Sequence, residues 1–600
     1  MNSLNRRDFL KISSSTAAIG LTPRLAVTKT PASANLVQGV PLFLSDLSHC
    51  LPVSALSKTN KKNHWSLIPY ETDLISGVMI GAGSMAHAPD VTLPLGLAGW
   101  HSIYLGYWNP HHDYDGDTTI KLKLTGDPCF QPISDRTYAG AAAAPVNWTG
   151  THLSECFFRH ADLTDRDLVI GQQQKGEFKK AYVAYVKLVP LNQEEVNSIQ
   201  KDRVRKDTRK LISSNDGISF LASKGCTTKE EILEQVEPYR YSDIGKVIWA
   251  FTYGDLTNYR SKIGHLWTSG VSSKEDITTY SGNKIMSESL DILLSKGLVP
   301  AQVALEHVHS MGLEFHAMCR MGIIGDIPPS GLWPAGLVRN NPHLRMLAKD
   351  GTPMEKASYA FPEVQEHMLS LIREVAEGFD VDGLTLGWIR GPQFVGYELP
   401  FAQDFKKEFG EDPRRLGEND NRVLHLRSRY VTDFVRKVRR LCQEIASQRK
   451  RKLELAAWVY SPEHNLFYGL DVDTWLKEGL LDSLISKGSQ EYVKTVKAHN
   501  CKFYQSYGDV KSVLEGYKKS VDAFCSWDCN YNLQELPESW AIASRIGHQE
   551  EVEAFLKNPP KVKLMKLKTV DGLDICHTTN RGANEMKYWP PEMLPLYSGG

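Results

Sequence analysis

The chain has no surplus of either charge, because 70 Lys and Arg residues stand against 70 Asp and Glu. A nucleic-acid-binding face needs a basic excess, and none is present. The richest basic run, Arg436 to Lys452, falls on a strongly periodic stretch and reads as the solvated face of a helix. Long apolar runs are also missing: no segment reaches the roughly 18 consecutive apolar residues of a spanning helix. Cysteine is scarce, ten in 600 residues at irregular spacing, which is no disulfide framework. The closest pair, Cys525-x-x-x-Cys529, has no second pair beside it in sequence to complete a zinc site. No Gly-x-Gly-x-x-Gly turn follows the first strand of the α/β region, and no Walker-type phosphate loop occurs. Both absences count against nucleotide-binding folds.

What the sequence does contain begins at the amino terminus. Arg6-Arg7-Asp8-Phe9-Leu10-Lys11 has the twin-arginine form, a weakly apolar stretch runs from Ile12 to Val27, and Ala32-Ser33-Ala34 offers a small-residue cleavage site. Residues 1–34 are therefore expected to be a signal peptide read by the twin-arginine translocation machinery, giving a periplasmic or secreted protein. That route carries proteins folded beforehand in a reducing cytoplasm, which agrees with the scattered cysteines.

Residues 35–195 read as an all-β, sandwich-like domain. Ser102–Trp108, Thr118–Leu124 and Ala181–Leu188 are short strand-like runs separated by turn-rich pieces. The polar stretch within 196–245 reads as linker helices. From 246 to 550 strand and helix periods alternate. Val247–Tyr253 is a continuous apolar run, as a buried parallel strand should be. Val364, Met368, Leu371, Ile372, Val375 and Phe379 recur at helical spacing behind a proline, and Leu384–Ile389 follows as a strand. The unit repeats through Leu453–Tyr460, Leu481–Ser486, Cys501–Ser506 and Val521–Ser526. Alternation over this length predicts an α/β fold, a (β/α)8 TIM-type barrel, with 551–600 as an extension packing on it.

Active sites of such barrels lie at the carboxyl ends of the strands. That rule selects Tyr253 and Asp255, Arg320, Trp388 and Arg390, Trp458 with Glu463 and His464 beyond it, Glu491, and Trp527 with Asp528. Asp382 and Glu314 sit at the opposite strand ends and read as structural, and His316 and Cys319 as core. Aromatic faces, arginine forks and carboxylates are the materials of a sugar site. Glu463 and Asp528 are the expected catalytic pair. Tyr253, Asp255, Arg320, Trp388, Arg390, Trp458 and Trp527 are the expected substrate-binding residues. No cofactor is assigned, although the export route leaves a metal- or cofactor-dependent enzyme as a third reading.

Several segments taken in order resemble the family 10 glycosylhydrolase-like proteins, a TIM-barrel family. They are Phe361-Pro362-Glu363-Val364, Asp382-Gly383-Leu384-Thr385-Leu386-Gly387-Trp388-Ile389-Arg390, Gly469-Leu470-Asp471-Val472-Asp473-Thr474-Trp475-Leu476, Glu478-Gly479-Leu480-Leu481-Asp482, Ser526-Trp527-Asp528 and Arg545-Ile546-Gly547-His548. The resemblance covers residues 245–550 and implies a carbohydrate substrate and hydrolysis of glycosidic bonds. It departs from the family at Gly387, where a second acidic residue usually stands three positions before the arginine. That glycine implies either another carboxylate or a sugar-binding barrel without catalysis, and the missing bulk suggests room for a larger sugar.

Overall fold

The computed structural model describes residues 39–109, 118–135, 151–176, 179–268, 281–323, 336–390, 392–560, 563–571 and 573–574. The twin-arginine segment lies outside them. The chain forms two units, Asp207–Asn530 and the combination of Met1–Lys206 with Tyr531–Gly600.

The first unit is a sandwich of two antiparallel sheets. In the larger, Trp65–Thr72, Ser76–Ala82, Ala181–Pro190, Trp100–Trp108 and His152–Asp162 pair in that order. The smaller aligns Val91–Leu93, Leu168–Gln172, Thr118–Leu124 and Gln131–Asp135. Residues alternate along Thr118–Leu124, so Ile120, Leu122 and Leu124 enter a core shared with Ile103, Leu105, Val183 and Val186. The chain returns to this unit after the second one. Lys563–Val570 pairs with His152–Asp162 and with Trp65–Thr72, so the expected carboxyl-terminal extension takes its strand hydrogen bonds in the β sheet. Arg545 and His548, in the last segment of the family resemblance, lie at a turn clasped on Asp202, with His548 Nε2 2.9 Å from its carboxylate.

The second unit is a closed barrel of eight parallel strands: β1 (Leu211–Asn215), β2 (Ile244–Tyr253), β3 (Glu314–Arg320), β4 (Gly383–Gly387), β5 (Glu454–Trp458), β6 (Ser483–Ser486), β7 (Lys502–Ser506) and β8 (Ala523–Ser526). β1 pairs with both β2 and β8 and closes the ring. It lies inside the stretch expected to hold only linker helices. Only Leu211 and Ile212 are apolar, and Ser213, Ser214 and Asn215 interrupt the run that marks the other strands, although all five residues are buried. The helix Pro362–Gly378 buries Val364, Met368, Leu371, Ile372 and Val375, the stripe its spacing predicts.

The amino-terminal floor of the barrel is polar. Lys246 Nζ lies 2.8 Å from Glu454 and 3.2 Å from Glu314, and His316 Nε2 lies 3.5 Å from Glu454. Burial acts to raise the Glu454 carboxyl, but His316 and Lys246 overcome it and hold the group far below the usual carboxylate range. Gly383 makes room for this arrangement, since a Cβ there would stand 2.5 Å from the His316 ring. Glu314, His316 and Glu454 bring three metal-ligand-type atoms within 4.8 Å of one another. Lys246 already supplies the positive charge that such a group needs.

Candidate active site

The site is built at the opposite, carboxyl-terminal mouth, around the seam between β1 and β8. Asn215 closes a tight turn by accepting the Gly217 N–H at 2.7 Å. Gly217 has φ +78°, and a Cβ on it would lie 2.4 Å from the Ala250 carbonyl oxygen, so only glycine fits. The turn sets Asp216 at the start of the helix Ser219–Lys224. Its carboxylate accepts the Ile218 and Ser219 N–H groups at 3.1 and 2.8 Å, as well as the Ser219 hydroxyl.

Asp528 stands directly across the seam. The Asp216 N–H donates to Asp528 Oδ1 at 3.0 Å, and the Asp528 N–H donates to Ser214 Oγ at 3.2 Å. Asp528 is held at φ +43°, a left-handed conformation that a non-glycine residue keeps only where its surroundings impose it. Burial and then the charge of Asp216 raise its carboxyl to about 7, while Arg320, the Asp216 N–H and Arg390 pull it down without cancelling the rise. A carboxyl near 7 exchanges protons readily around neutral pH.

Aromatic and cationic groups enclose this pair. The Arg320 guanidinium lies 4.7 Å from the Tyr253 ring and 5.2 Å from the Trp527 ring, and that of Arg390 lies 5.5 Å from the same indole. Arg390 has φ +72° and donates its N–H to the Tyr460 hydroxyl at 2.9 Å. Trp458 meets Trp527 edge-on at 5.2 Å. Trp527 is half-buried, whereas Trp458 and Tyr253 are 5% and 8% exposed.

The structure thus brings together Tyr253, Arg320, Arg390, Trp458, Trp527 and Asp528 from the expected set, with two qualifications and three corrections. Trp458 and Tyr253 belong to the barrel core and support Trp527 and Arg320 rather than offering a free face. Trp388 is no stacking platform. Its side chain points away from the barrel axis and is fully buried among Tyr359, Phe394, Phe434 and Trp475. Asp255 is a structural anchor rather than a ligand-binding group: it is 3% exposed, bonded to His367, to His265 at 2.7 Å and to the Leu337 N–H at 2.7 Å. Glu463 is exposed on the short helix Pro462–Asn465. Its own N–H and the Ser461 hydroxyl hold its carboxyl below the usual range, opposite to what a general acid needs. The carboxylate beside Asp528 is Asp216, which the sequence reading passed over. Gly387 opens no extra space either, because a Cβ there would already lie 3.3 Å from the Met318 sulfur.

Asp528 makes stability depend on pH in a defined direction. Its folded-state carboxyl is raised above the ordinary 3.8 to about 7, so the folded state binds the proton more tightly. The stability this confers is complete below about pH 4 and is lost as the pH rises to about 7. Asp528→Asn is therefore expected to melt higher than the parent at about pH 8, with the gap closing toward about pH 4. Equal melting temperatures at the higher pH would contradict the raised carboxyl.

No protein-family model matches the chain, and no curated protein matches it. Solved structures similar to it include the glycoside hydrolase domain of PgaB (BpsB) from Bordetella bronchiseptica, 10% identical over 58% of this chain and 97% of that one, with a TM-score of 0.36. The family 20 exo-β-N-acetylglucosaminidase of Vibrio harveyi is 10% identical over 70% of this chain and 60% of its own, with a TM-score of 0.33. A ruminal family 26 endo-β-1,4-mannanase is 10% identical over 85% and 95% of the two chains, with a TM-score of 0.26.

Proposed function

We propose that the barrel hydrolyses glycosidic bonds in a polysaccharide or oligosaccharide, with Asp528 as its acid and base. The observation that carries this reading is the half-buried Asp528 carboxyl, raised to about 7 beside Asp216 and next in the chain to the half-buried Trp527. Protonated Asp528 delivers its proton to the leaving oxygen as the bond from that oxygen to the sugar breaks. The Asp216 carboxylate keeps that proton on Asp528 beforehand and then faces the positive charge developing on the sugar ring. Water adds to the sugar carbon and returns its proton to Asp528, which restores the starting state. Trp527 stacks on a pyranose ring. Arg320 and Arg390 hold hydroxyls or an acidic substituent.

A second reading, a sugar-binding barrel without catalysis, is favoured by one feature. The position of the family's second acid is Gly387, backed by Met318. Both readings are tested by incubating the purified protein with a panel of glycans and following reducing ends and chromatographed products. Hydrolysis is expected for one glycan class, falling as the pH rises through about 7. Asp528→Asn and Asp216→Asn should each lower turnover at least about a hundredfold, while Glu463→Gln stays near the parent. Normal turnover in Asp528→Asn would defeat the assignment, and saturable binding without product would establish the second reading.

Export through the twin-arginine route remains part of the proposal and rests on the sequence motif of Arg6–Lys11, the apolar stretch after it and the Ala32-Ser33-Ala34 cleavage site. Changing Arg6 and Arg7 to lysine should leave the protein in the cytoplasmic fraction. Unchanged export of that variant would refute it.

A further inference from the structure

We propose that Arg427 forms the base of a buried binding site for a small inorganic anion of the halide class, behind the loops that carry Arg390 and Tyr460. Arg427 lies on the helix Asn421–Arg449 and is 1% exposed. Its Nε, Nη1 and Nη2 atoms are all buried without a hydrogen-bond partner among the described residues. Arg422, Arg429, Arg436 and Arg439 each pair with a carboxylate, the last with Asp482 at 2.7 Å.

Neighbouring groups do not balance the charge. The guanidinium lies 4.5 Å from the Tyr397 ring and 5.6 Å from the Phe401 ring. Such stacking recovers less than it costs to strip water from a buried ion. Glu398 is the nearest buried carboxyl that acts on it electrostatically, but its oxygens are already engaged by the Ser358 hydroxyl and by the N–H groups of Gly396 at 3.1 Å and Leu347 at 3.4 Å. Burial also pushes Glu398 up toward its neutral form. Glu418, the other acid acting on Arg427, is exposed.

Two further groups lie in the same region. The Tyr397 hydroxyl stands against the Arg427 guanidinium, and both amide atoms of Asn465 are buried without a hydrogen-bond partner among the described residues. Asn465 closes its loop by accepting the Leu470 N–H at 2.9 Å, and Gly469 in that loop packs against the Arg427 backbone, where a Cβ would stand 3.9 Å from Arg427 Cβ. The helix and the loop after β4 therefore bring a buried positive charge and the Tyr397 hydroxyl together, with too few acceptors to balance the charge. A halide accepts from any direction and supplies the missing charge. Water answers the donors alone. The anion would tie the helix to the two loops that meet where Arg390 donates to Tyr460.

The test uses the full chain and bromide as the probe. Crystals grown or soaked in bromide should show an anomalous peak within hydrogen-bonding reach of the Arg427 guanidinium. In solution, chloride should raise the melting temperature by about 2–4 °C over gluconate at equal ionic strength, and Arg427→Met should remove that difference. Water with no bromide at Arg427 would overturn the proposal. So would a bromide peak accompanied by identical melting in the two salts, which would mean binding at crystal concentration only. The parent protein alone decides both readouts if the variant does not fold.

Discussion

The Asp216 N–H donates to the Asp528 carboxyl across the seam where the first and last strands of the barrel meet. The two acids are 312 positions apart in the chain, so nothing short of ring closure puts them side by side. Closure rests on β1, a strand poor in apolar residues whose Ser213 hydroxyl donates to the Tyr239 hydroxyl at 2.8 Å and whose Ser214 holds the Asp528 backbone. The polarity that weakens this strand as a sequence signal is what lets it line a polar mouth. Gly217 follows from the same constraint, because the chain must turn against the β2 backbone to present Asp216.

The two ends of the barrel treat buried charge differently. On the floor, Lys246 stands between the carboxylates of Glu454 and Glu314, and with His316 it holds Glu454 ionised. At the mouth, burial and then the adjacent acid Asp216 make Asp528 retain its proton at a pH where an ordinary aspartate would have lost it. Buried groups that are fully compensated add rigidity, whereas incompletely compensated ones are poised for proton transfer. The left-handed backbone at Asp528 and Arg390 lies at this mouth.

Most of the barrel was legible because continuous apolar runs mark parallel strands and a stripe marks each covering helix. β1 was not, and Asp216 was missed with it, although Asn215-Asp216-Gly217 after Leu211-Ile212 is a turn signal at a strand end. Trp388 was misplaced for a different reason. Side chains alternate along a strand, so with Thr385 beside His316 inside the barrel, Trp388 must point outward. Trp458 shares the parity of Glu454 and faces inward. Glu463 is the nearest acid in sequence beyond the end of β5, but five residues past Trp458 it rides on an exposed turn of helix. Ionisation set by burial and by a partner from a distant strand has no local sequence signal at all.

Asp528 holds its proton up to about pH 7, and the most direct measurement of this is its own titration. The carboxyl infrared difference between the parent protein and Asp528→Asn, followed across pH, isolates this one group from the other acids. The account expects a protonated-carboxyl band that disappears with a midpoint of about 7. A midpoint near the ordinary 3.8 of an aspartate would contradict it and remove the acid from the proposed mechanism.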